Sequence, residues 1–308
     1  LAGIPAVVKP SEYTSYLTEL MLKEIIDSGI LPDGSIQMVS GLGRGILDYV
    51  TSEDVITFTG SAHTGKKLKA LPNILENSVP FNLEADSLNA TMLGEDSGPG
   101  TAEFDLFVKS TRAEITVKAG QKCTAIRRIL VPEKYMEDVQ IALGKQLAKT
   151  TIGDPSVEGV RMGPLASRTQ VDRVRENVEL LMKEQEVVYG DMDNFDIVGG
   201  DKEKGAFFSP ILFRNDAPFE KTRVHEIEAF GPVSTLMPYK DMDEAVRIAE
   251  MGKGSLVTSI TTANDELAKE FVLNTAHMHG RILVLNERCA KESTGHGSPL
   301  PLLSHGGP

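Results

Sequence analysis

The residues best suited to covalent chemistry surround Cys123, within residues 118–128 (Lys-Ala-Gly-Gln-Lys-Cys-Thr-Ala-Ile-Arg-Arg). A cysteine attacks as the thiolate, which forms near neutral pH in an electropositive and partly exposed setting. Lys122, Arg127 and Arg128 place positive charge close to this cysteine in the sequence, so we expect them to favour the thiolate. A buried structural cysteine is the common alternative, and the local composition does not decide between the two.

Four further motifs occur in a fixed order around this cysteine. They are Val8-Lys9-Pro10-Ser11-Glu12, Phe58-Thr59-Gly60-Ser61, Phe81-Asn82-Leu83-Glu84 and Glu228-Ala229-Phe230-Gly231-Pro232-Val233. In this order and at these spacings they resemble the aldehyde dehydrogenase superfamily, and the resemblance covers essentially the whole chain. Residues 84–89, 120–128, 291–299 and 305–308 are similar to one branch of it, the dehydrogenase half of the bifunctional ring-opening protein of phenylacetate degradation.

The resemblance implies covalent chemistry at two residues. Cys123 matches the nucleophile that attacks an aldehyde and carries first a thiohemiacetal and then, after hydride transfer, a thioester. Glu84 matches the base that activates water to hydrolyse the thioester, although a surface carboxylate is the commoner fate of a glutamate. Most of the superfamily has Gly-Gly-Lys after this glutamate, whereas here Ala85-Asp86-Ser87 follows. Because the branch shares this difference, the role of Glu84 is retained.

The resemblance also implies a nicotinamide cofactor, NAD or NADP, and residues that bind it. Lys9 and Glu12 match the adenine-ribose contacts, Gly60 and Ser61 the pyrophosphate contact, and Glu228 and Phe230 the contacts to the nicotinamide ribose and ring. A carboxylate at position 12 accepts from a ribose 2′-hydroxyl and repels a 2′-phosphate, which favours NAD, whereas the branch often uses NADP. The alternatives are an exposed ion pair at residues 9 and 12 and an ordinary strand–helix turn at residues 60–65.

The composition narrows the class of protein and its partners. The chain has 308 residues, 41% of them hydrophobic, and a net charge of −12, which argues against a general nucleic-acid or anionic-membrane role. No apolar run approaches the ~20 residues that span a bilayer. Two cysteines make no disulfide framework and are typical of a reducing cytoplasm. The resemblance implies a small-molecule aldehyde as partner, in this branch a CoA thioester, and a homo-oligomer for the full-length protein.

Strand and helix patterns alternate, which predicts an α/β fold with a doubly wound parallel sheet. We predict a partial dinucleotide-binding domain over residues 1–86, an α/β catalytic domain that carries the thiol over residues 87–303, and the start of a truncated C-terminal segment at 304–308. In the first domain, the predicted strands and helix cover residues 6–8, 36–39, 55–58 and 11–29. In the second, the predicted elements cover residues 104–117, 129–131, 132–149, 171–181, 241–251, 256–261, 262–276 and 282–285.

The remaining polar clusters give weaker signals. The acidic loop at residues 191–196 lacks the glycine and terminal glutamate of an EF-hand loop. The six histidines and two cysteines show no metal-ligand spacing, so no metal is expected. His296 and His305 stand beside glycines and are candidates for substrate contact.

The two ends of the sequence suggest a fragment. There is no initiator methionine and no signal peptide, and the chain stops abruptly at Gly306-Gly307-Pro308, so we expect N- and C-terminal parts to be missing. Three alternatives to a water-dependent aldehyde dehydrogenase remain. They are a CoA-acylating aldehyde dehydrogenase, a cysteine-dependent hydrolase or acyltransferase without a nicotinamide cofactor, and an inert fragment.

Overall fold

The structure is a computed structural model that describes residues 3–43 and 45–295 of the chain. These residues form two compact units, which are described separately. The first contains the residues up to Ile56 together with Lys69–Pro80, and the second contains Thr57–Leu68 and the residues from Phe81 onward. The domain division at residue 86 stays a prediction.

The described residues contain strands and helices in alternation. The strands are β1 Ala6–Val8, β2 Ile36–Met38, β3 Ile56–Thr59, β4 Phe81–Glu84, β5 Ala90–Leu93, β6 Arg128–Pro132, β7 Glu186–Tyr189, β8 Ile211–Arg214, β9 Val233–Tyr239, β10 Ser255–Thr261 and β11 His279–Leu285. The α-helices are α1 Ser15–Asp27, α2 Ala62–Lys69, α3 Pro72–Glu76, α4 Ala102–Thr116, α5 Met136–Leu147, α6 Arg168–Leu181, α7 Met242–Glu250 and α8 Asp265–Thr275. Short 3-10 helices cover Ile46–Tyr49, Val117–Gly120, Glu133–Tyr135, Thr222–His225 and Glu287–Cys289.

The first unit contains a small parallel sheet. β1 pairs with β2, with Ala6 opposite Ile36 and Val8 opposite Met38, and α1 lies between these strands in the sequence. A strand, a helix and a parallel strand form the unit that the sequence pattern predicted.

The second unit is built on a seven-stranded sheet in the order β11-β10-β5-β6-β9-β8-β7. Adjacent strands are parallel from β11 to β8, and β7 pairs with β8 in the antiparallel direction. In this order β5, β6 and β9 are direct neighbours and parallel, so their amino-terminal ends lie side by side at the same end of the sheet. The segments that carry the candidate active-site residues enter the sheet at that end.

Helices cover both faces of this sheet. Successive side chains of a strand point to opposite faces, and in β6 Ile129 and Val131 pack in one core with residues of α4 and α5. Leu130, on the other face, packs in a second core with residues of α7 and α8. All five residues of β6 are buried, as expected for a strand covered on both sides. The α/β arrangement predicted for the catalytic domain is therefore confirmed in this unit.

Arg128 is one of the largest fully buried side chains of the described residues. Its guanidinium donates to the backbone carbonyl oxygens of Leu88, Ile248 and Ala249 at 2.8–3.0 Å. A Cβ added to Gly252 would lie 2.3 Å from Arg128 Nη2, so glycine makes room for it. Burial lowers the pKa of Arg128 to about 9. This arginine links strand and helix ends and does not supply charge to the thiol.

Two buried histidines lie in the same unit. Burial, reinforced by the charge of Arg128, lowers the pKa of His225 to about 4 and that of His279 to about 3. His225 Nδ1 is 3.2 Å from Arg128 Nη1, and His279 Nδ1 is 2.7 Å from the Ser255 hydroxyl. Both imidazoles are therefore neutral in the folded protein at neutral pH.

These histidines predict acid sensitivity. An unfolded histidine titrates near ~6.5, so below that pH the unfolded chain binds protons that the folded chain excludes until about pH 4 for His225 and about pH 3 for His279. We expect the free energy of unfolding to fall by about 1.4 kcal/mol per pH unit for each histidine as pH decreases across this window. Urea unfolding of His279→Asn should show a shallower pH slope, with exposed His63→Asn as control. Equal slopes for wild type and His279→Asn would contradict this account.

Candidate active site

Glu84 ends β4 in a protected position. Its side chain is buried, and its backbone carbonyl accepts a hydrogen bond from the Gly60 N–H at 3.0 Å. The residue is therefore buried and not on the surface, the commoner place for a glutamate. The same hydrogen bond joins the base candidate to the turn that begins α2.

Cys123 lies in a loop between the helical segment that ends at Gly120 and strand β6. The chain reverses there through left-handed backbone at Lys118, Ala119 and Gly120, with φ of 54°, 52° and 69°. A Cβ at position 120 would lie 2.2 Å from the carbonyl oxygen of Gly231. Only glycine permits this approach between the loop of Cys123 and the segment before β9.

Asn89 binds the backbone of the loop that carries Cys123. The sequence analysis assigned this residue no role. Its Nδ2 donates to the carbonyl oxygens of Cys123 and Ala125, each at 2.8 Å. Its Oδ1 accepts from the Ser87 hydroxyl at 2.7 Å and from the Val257 N–H at 3.1 Å. The amide is fully buried, so these four bonds orient both ends of the side chain and hold the backbone of the thiol.

The electrostatic setting of Cys123 is governed by carboxylates. The residue is half-buried, and burial raises the pKa of its thiol. The Glu84 carboxylate, which accepts a hydrogen bond from the thiol, and the more distant charge of Glu228 raise this pKa further. The thiol is therefore protonated at neutral pH, and its hydrogen bond points at the group that would remove the proton.

The prediction that positive charge surrounds the Cys123 thiol is wrong, because the three nearby cations each bind other partners. Lys122 Nζ pairs with Glu114 Oε2 at 2.6 Å, and Arg127 Nε pairs with Glu228 Oε1 at 2.9 Å. Arg128 points into the core. Neighbouring positions in the sequence thus send their side chains to different partners, and none of the three cations contributes to lowering the pKa of the thiol.

Glu228 lies next to this loop with both carboxylate oxygens engaged. Oε1 accepts from Arg127 Nε and Oε2 from the Ser87 N–H, each at 2.9 Å. The side chain is 3% exposed. Burial raises the pKa of Glu228, and the positive charge of Arg127 is the strongest opposing influence. The ion pair thus favours the ionised carboxylate within a desolvated site.

Phe230 adopts left-handed backbone, with φ of 50°, and its side chain is exposed. Gln121 Nε2 donates to the Phe230 carbonyl oxygen at 3.3 Å, and the Arg127 guanidinium carbon lies 5.7 Å from the ring centroid. A non-glycine residue in this conformation costs on the order of 1–3 kcal/mol, so the surrounding contacts must hold it. The ring is thereby presented outward beside the loop of Cys123.

Gly60 and Ser61 form the exposed turn before α2. The Ser61 hydroxyl accepts from the Thr64 N–H at 3.3 Å, so it satisfies one N–H at the start of this helix. The Asp86 carboxylate accepts a hydrogen bond from the Ala62 N–H, and burial raises the pKa of Asp86. A carboxylate of the chain therefore already occupies part of the helix terminus that was predicted to hold a pyrophosphate.

Lys9 and Glu12 belong to the first unit. Lys9 Nζ lies 3.7 Å from Glu12 Oε1, with the two side chains 30% and 43% exposed. This is the partly exposed ion pair that the alternative interpretation predicts, and it leaves both groups accessible to a ribose. Their cofactor role stays a prediction.

The other predicted features concern metals, membranes and histidines. Within residues 3–43 and 45–295, no group of three or more His, Cys, Asp or Glu side chains is arranged to hold a metal ion. None of the helices described is both long and apolar enough to cross a membrane. His296, His305 and residues 304–308 lie outside the described residues.

The fold and the site together define a class: a parallel α/β protein in which a half-buried thiol donates to a buried carboxylate. The aldehyde dehydrogenase family model matches residues 1–294. The chain therefore belongs to the aldehyde dehydrogenase family, as the motifs indicated.

Two relatives and one solved structure illustrate the similarity. 3,4-Dehydroadipyl-CoA semialdehyde dehydrogenase from Aromatoleum evansii is 44% identical over 308 residues, which is 100% of this chain and 60% of that protein. Protein MaoC from Klebsiella aerogenes is 48% identical over 150 residues, 48% of this chain and 42% of that protein. This chain thus spans less than two thirds of the length of either relative.

The solved structure is a double mutant of betaine aldehyde dehydrogenase from Staphylococcus aureus in complex with NAD+. It is 25% identical, superposes with a TM-score of 0.80, and the match covers 92% of this chain and 54% of that one. The similarity confirms the predicted aldehyde dehydrogenase-like fold class.

The pKa of Cys123 can be tested through the pH dependence of its alkylation by iodoacetamide. A Cys289→Ser background leaves one thiol in the chain. Because only the thiolate reacts, we expect a midpoint above that of a free cysteine. Glu84→Gln removes a like charge and should lower the midpoint. Glu137→Gln, which removes an exposed carboxylate, is the control. An unchanged midpoint in Glu84→Gln would contradict the conclusion that the Glu84 carboxylate raises the pKa of the Cys123 thiol.

Proposed function

We propose that the protein oxidises an aldehyde to the carboxylic acid with a nicotinamide cofactor, using Cys123 as nucleophile and Glu84 as base. The observation that carries the proposal is the hydrogen bond from the Cys123 thiol to the Glu84 carboxylate, in a chain of the aldehyde dehydrogenase family. A base in contact with a thiol of raised pKa supports activation by proton transfer and not by nearby cations.

The proposed chemistry uses Glu84 twice. Glu84 accepts the thiol proton, and the thiolate of Cys123 attacks the carbonyl carbon, with the Cys123 N–H as a donor to the developing oxyanion. The nicotinamide, when bound, is the acceptor of the hydride that leaves the thiohemiacetal carbon. After passing its proton to solvent, Glu84 removes a proton from water, whose attack on the thioester releases the acid and the thiol.

The chain offers groups that fit a dinucleotide. The exposed Gly60–Ser61 turn at the start of α2 supports contact with a pyrophosphate, for which Asp86 competes at the Ala62 N–H. Glu228 accepts one hydrogen bond on each oxygen, and a carboxylate has about four acceptor sites. Because its side chain is 3% exposed, ribose hydroxyls would reach these sites only if the cover over the carboxylate moved when the cofactor binds. Phe230 would position the nicotinamide ring.

The proposed cofactor is NAD, with NADP as the competing candidate. Lys9 and Glu12 would hold the adenine ribose, and the carboxylate of Glu12 would accept from the 2′-hydroxyl and repel a 2′-phosphate. The NAD+ bound to the betaine aldehyde dehydrogenase mutant supports the same choice.

The proposed substrate is a CoA-linked semialdehyde from aromatic-ring catabolism. The 44% identity to 3,4-dehydroadipyl-CoA semialdehyde dehydrogenase over the whole of this chain supports it. We further propose that residues 1–86 serve the cofactor, that residues 87–303 carry the thiol chemistry, and that the full-length protein is a homo-oligomer.

The decisive experiment follows NAD(P)H absorbance in the full-length protein with a medium-chain aldehyde and with a CoA-linked semialdehyde. We expect Cys123→Ala to abolish the signal. Glu84→Gln should lower both the initial rate and the steady rate of NAD(P)H formation, the steady rate by about 10²–10⁴-fold, because thiol activation and deacylation both lack their base. Cys289→Ser is the matched control.

The products distinguish the competing mechanisms. A free acid supports hydrolysis, whereas a new CoA thioester formed only when CoA is added would replace it with CoA acylation. Activity that survives Cys123→Ala, or an unimpaired steady rate in Glu84→Gln, would remove the assigned residue from its role.

Cofactor choice depends on Glu12 in this proposal. Glu12→Thr removes the charge that faces a 2′-phosphate, and we expect the NADP:NAD ratio of kcat/KM to rise about tenfold, equivalent to about 1.4 kcal/mol. Glu19→Gln, on the exposed surface of α1, tests whether any loss of charge has this effect. An unchanged ratio in Glu12→Thr would show that this residue does not read the 2′ position.

A further inference from the structure

One buried arginine connects the two segments that border the thiol. Arg127 Nε donates to Glu228 at 2.9 Å, and Nη1 donates to the Gly231 carbonyl oxygen at 2.8 Å. Nη2 donates to the carbonyl oxygens of Gly120 at 2.9 Å and Lys122 at 3.4 Å. Every nitrogen of the guanidinium is therefore engaged, and the four acceptors divide between the loop of Cys123 and the segment before β9.

The backbone of Arg127 is fixed as firmly as its side chain. Its carbonyl oxygen accepts from the Thr235 N–H and its N–H donates to the Asn89 carbonyl oxygen, at 2.9 and 3.0 Å. Position 127 thus lies at the amino end of β6 between β5 and β9. Because these backbone hydrogen bonds fix residue 127, its side chain has a defined direction, unlike the side chain of a surface ion pair.

Charge neutralisation alone does not explain this arrangement. The Arg127 and Glu228 side chains are 4% and 3% exposed, and an ammonium group could also balance the carboxylate. What a lysine lacks is the planar fork that directs hydrogen bonds to several acceptors at once. The contacts to Gly120 and Gly231 use that fork, at a place where a Cβ on Gly120 would lie 2.2 Å from the Gly231 carbonyl oxygen.

We propose that Arg127 is a positioning residue that sets the distance between the Cys123 thiol and the Glu228–Phe230 segment, and thereby the geometry of hydride transfer. This inference rests on the proposed function, in which that segment holds the nicotinamide ribose and ring. Displacement of reacting groups by about 1 Å can cost about 10²-fold in rate. Arg127 touches neither substrate nor cofactor in this role.

The test is Arg127→Lys in the full-length protein. The lysine keeps the charge and a partner for Glu228 but loses the fork to the two glycine carbonyls. We expect a melting temperature below that of wild type, because two buried carbonyl oxygens lose their donor, in a protein that is still folded at the assay temperature. The cofactor dissociation constant, measured by NAD(P)H fluorescence, should stay close to that of wild type. The single-turnover rate of NAD(P)H formation at saturating cofactor and aldehyde should fall at least about tenfold. The control is Arg214→Lys, whose partners Asp216 and Glu137 are exposed.

A second comparison applies if Arg127→Lys fails to fold. Arg127→Gln/Glu228→Gln removes both buried charges and is compared with Glu228→Gln alone. A single-turnover rate at least about tenfold lower in the double variant supports positioning through the carbonyl contacts, and equal rates overturn it.

The outcomes separate this inference from the proposed function. A folded Arg127→Lys protein with the wild-type rate overturns the positioning role and leaves the proposed function standing. Wild type without any Cys123-dependent NAD(P)H formation overturns the proposed function, and the inference with it.

Discussion

The buried ion pair between Arg127 and Glu228 is the interaction on which the arrangement of the candidate site depends. Removing two charges from water is costly, and their attraction compensates only when the remaining donors and acceptors are satisfied. Here backbone groups supply them: the carbonyls of Gly120 and Gly231 and the N–H of Ser87. A shift of either segment would leave a buried charge with fewer partners, so the pair resists displacement of the thiol loop.

The sheet topology explains why distant sequence segments meet at this pair. Sites in open α/β sheets usually lie beyond the carboxyl ends of the strands, yet in this unit the thiol, Asn89 and Glu228 precede β6, β5 and β9. These strands are parallel neighbours, so their amino ends share an edge. The thiol's hydrogen bond to Glu84 and the bonds of Asn89 then fix the loop on one side, while Arg127 fixes it on the other.

The sequence predicted the positions of helices and strands better than the partners of side chains. Helix α4, strand β6 and helix α5 lie close to their predicted ranges, because their apolar residues recur at the spacing of helices and buried strands. Strand β9 was missed, since its residues, buried except at the partly buried Pro238, show no alternation of polar and apolar side chains, and a proline argues against a central strand. Asn89 was missed because its role depends on the pairing of β5 with β6, which no local pattern encodes.

Electrostatics was the least predictable property, for a physical reason. Residues 122, 127 and 128 are close in sequence to the thiol, but each cation avoids the cost of burial by finding its own acceptors. Residues 85–87, which differ from the common Gly-Gly-Lys pattern, supply several of the hydrogen bonds that hold the site together. Ser87 donates from its N–H to Glu228 and from its hydroxyl to Asn89, and Asp86 accepts from the start of α2. Because this segment follows Glu84 directly, one short stretch connects the candidate base, the helix terminus and the buried ion pair. In the Gly-Gly-Lys pattern a glycine replaces Asp86 and a lysine replaces Ser87, so the backbone N–H is kept but the Asp86 carboxylate and the Ser87 hydroxyl are absent. The departure therefore changes how the site is held together and keeps the candidate base.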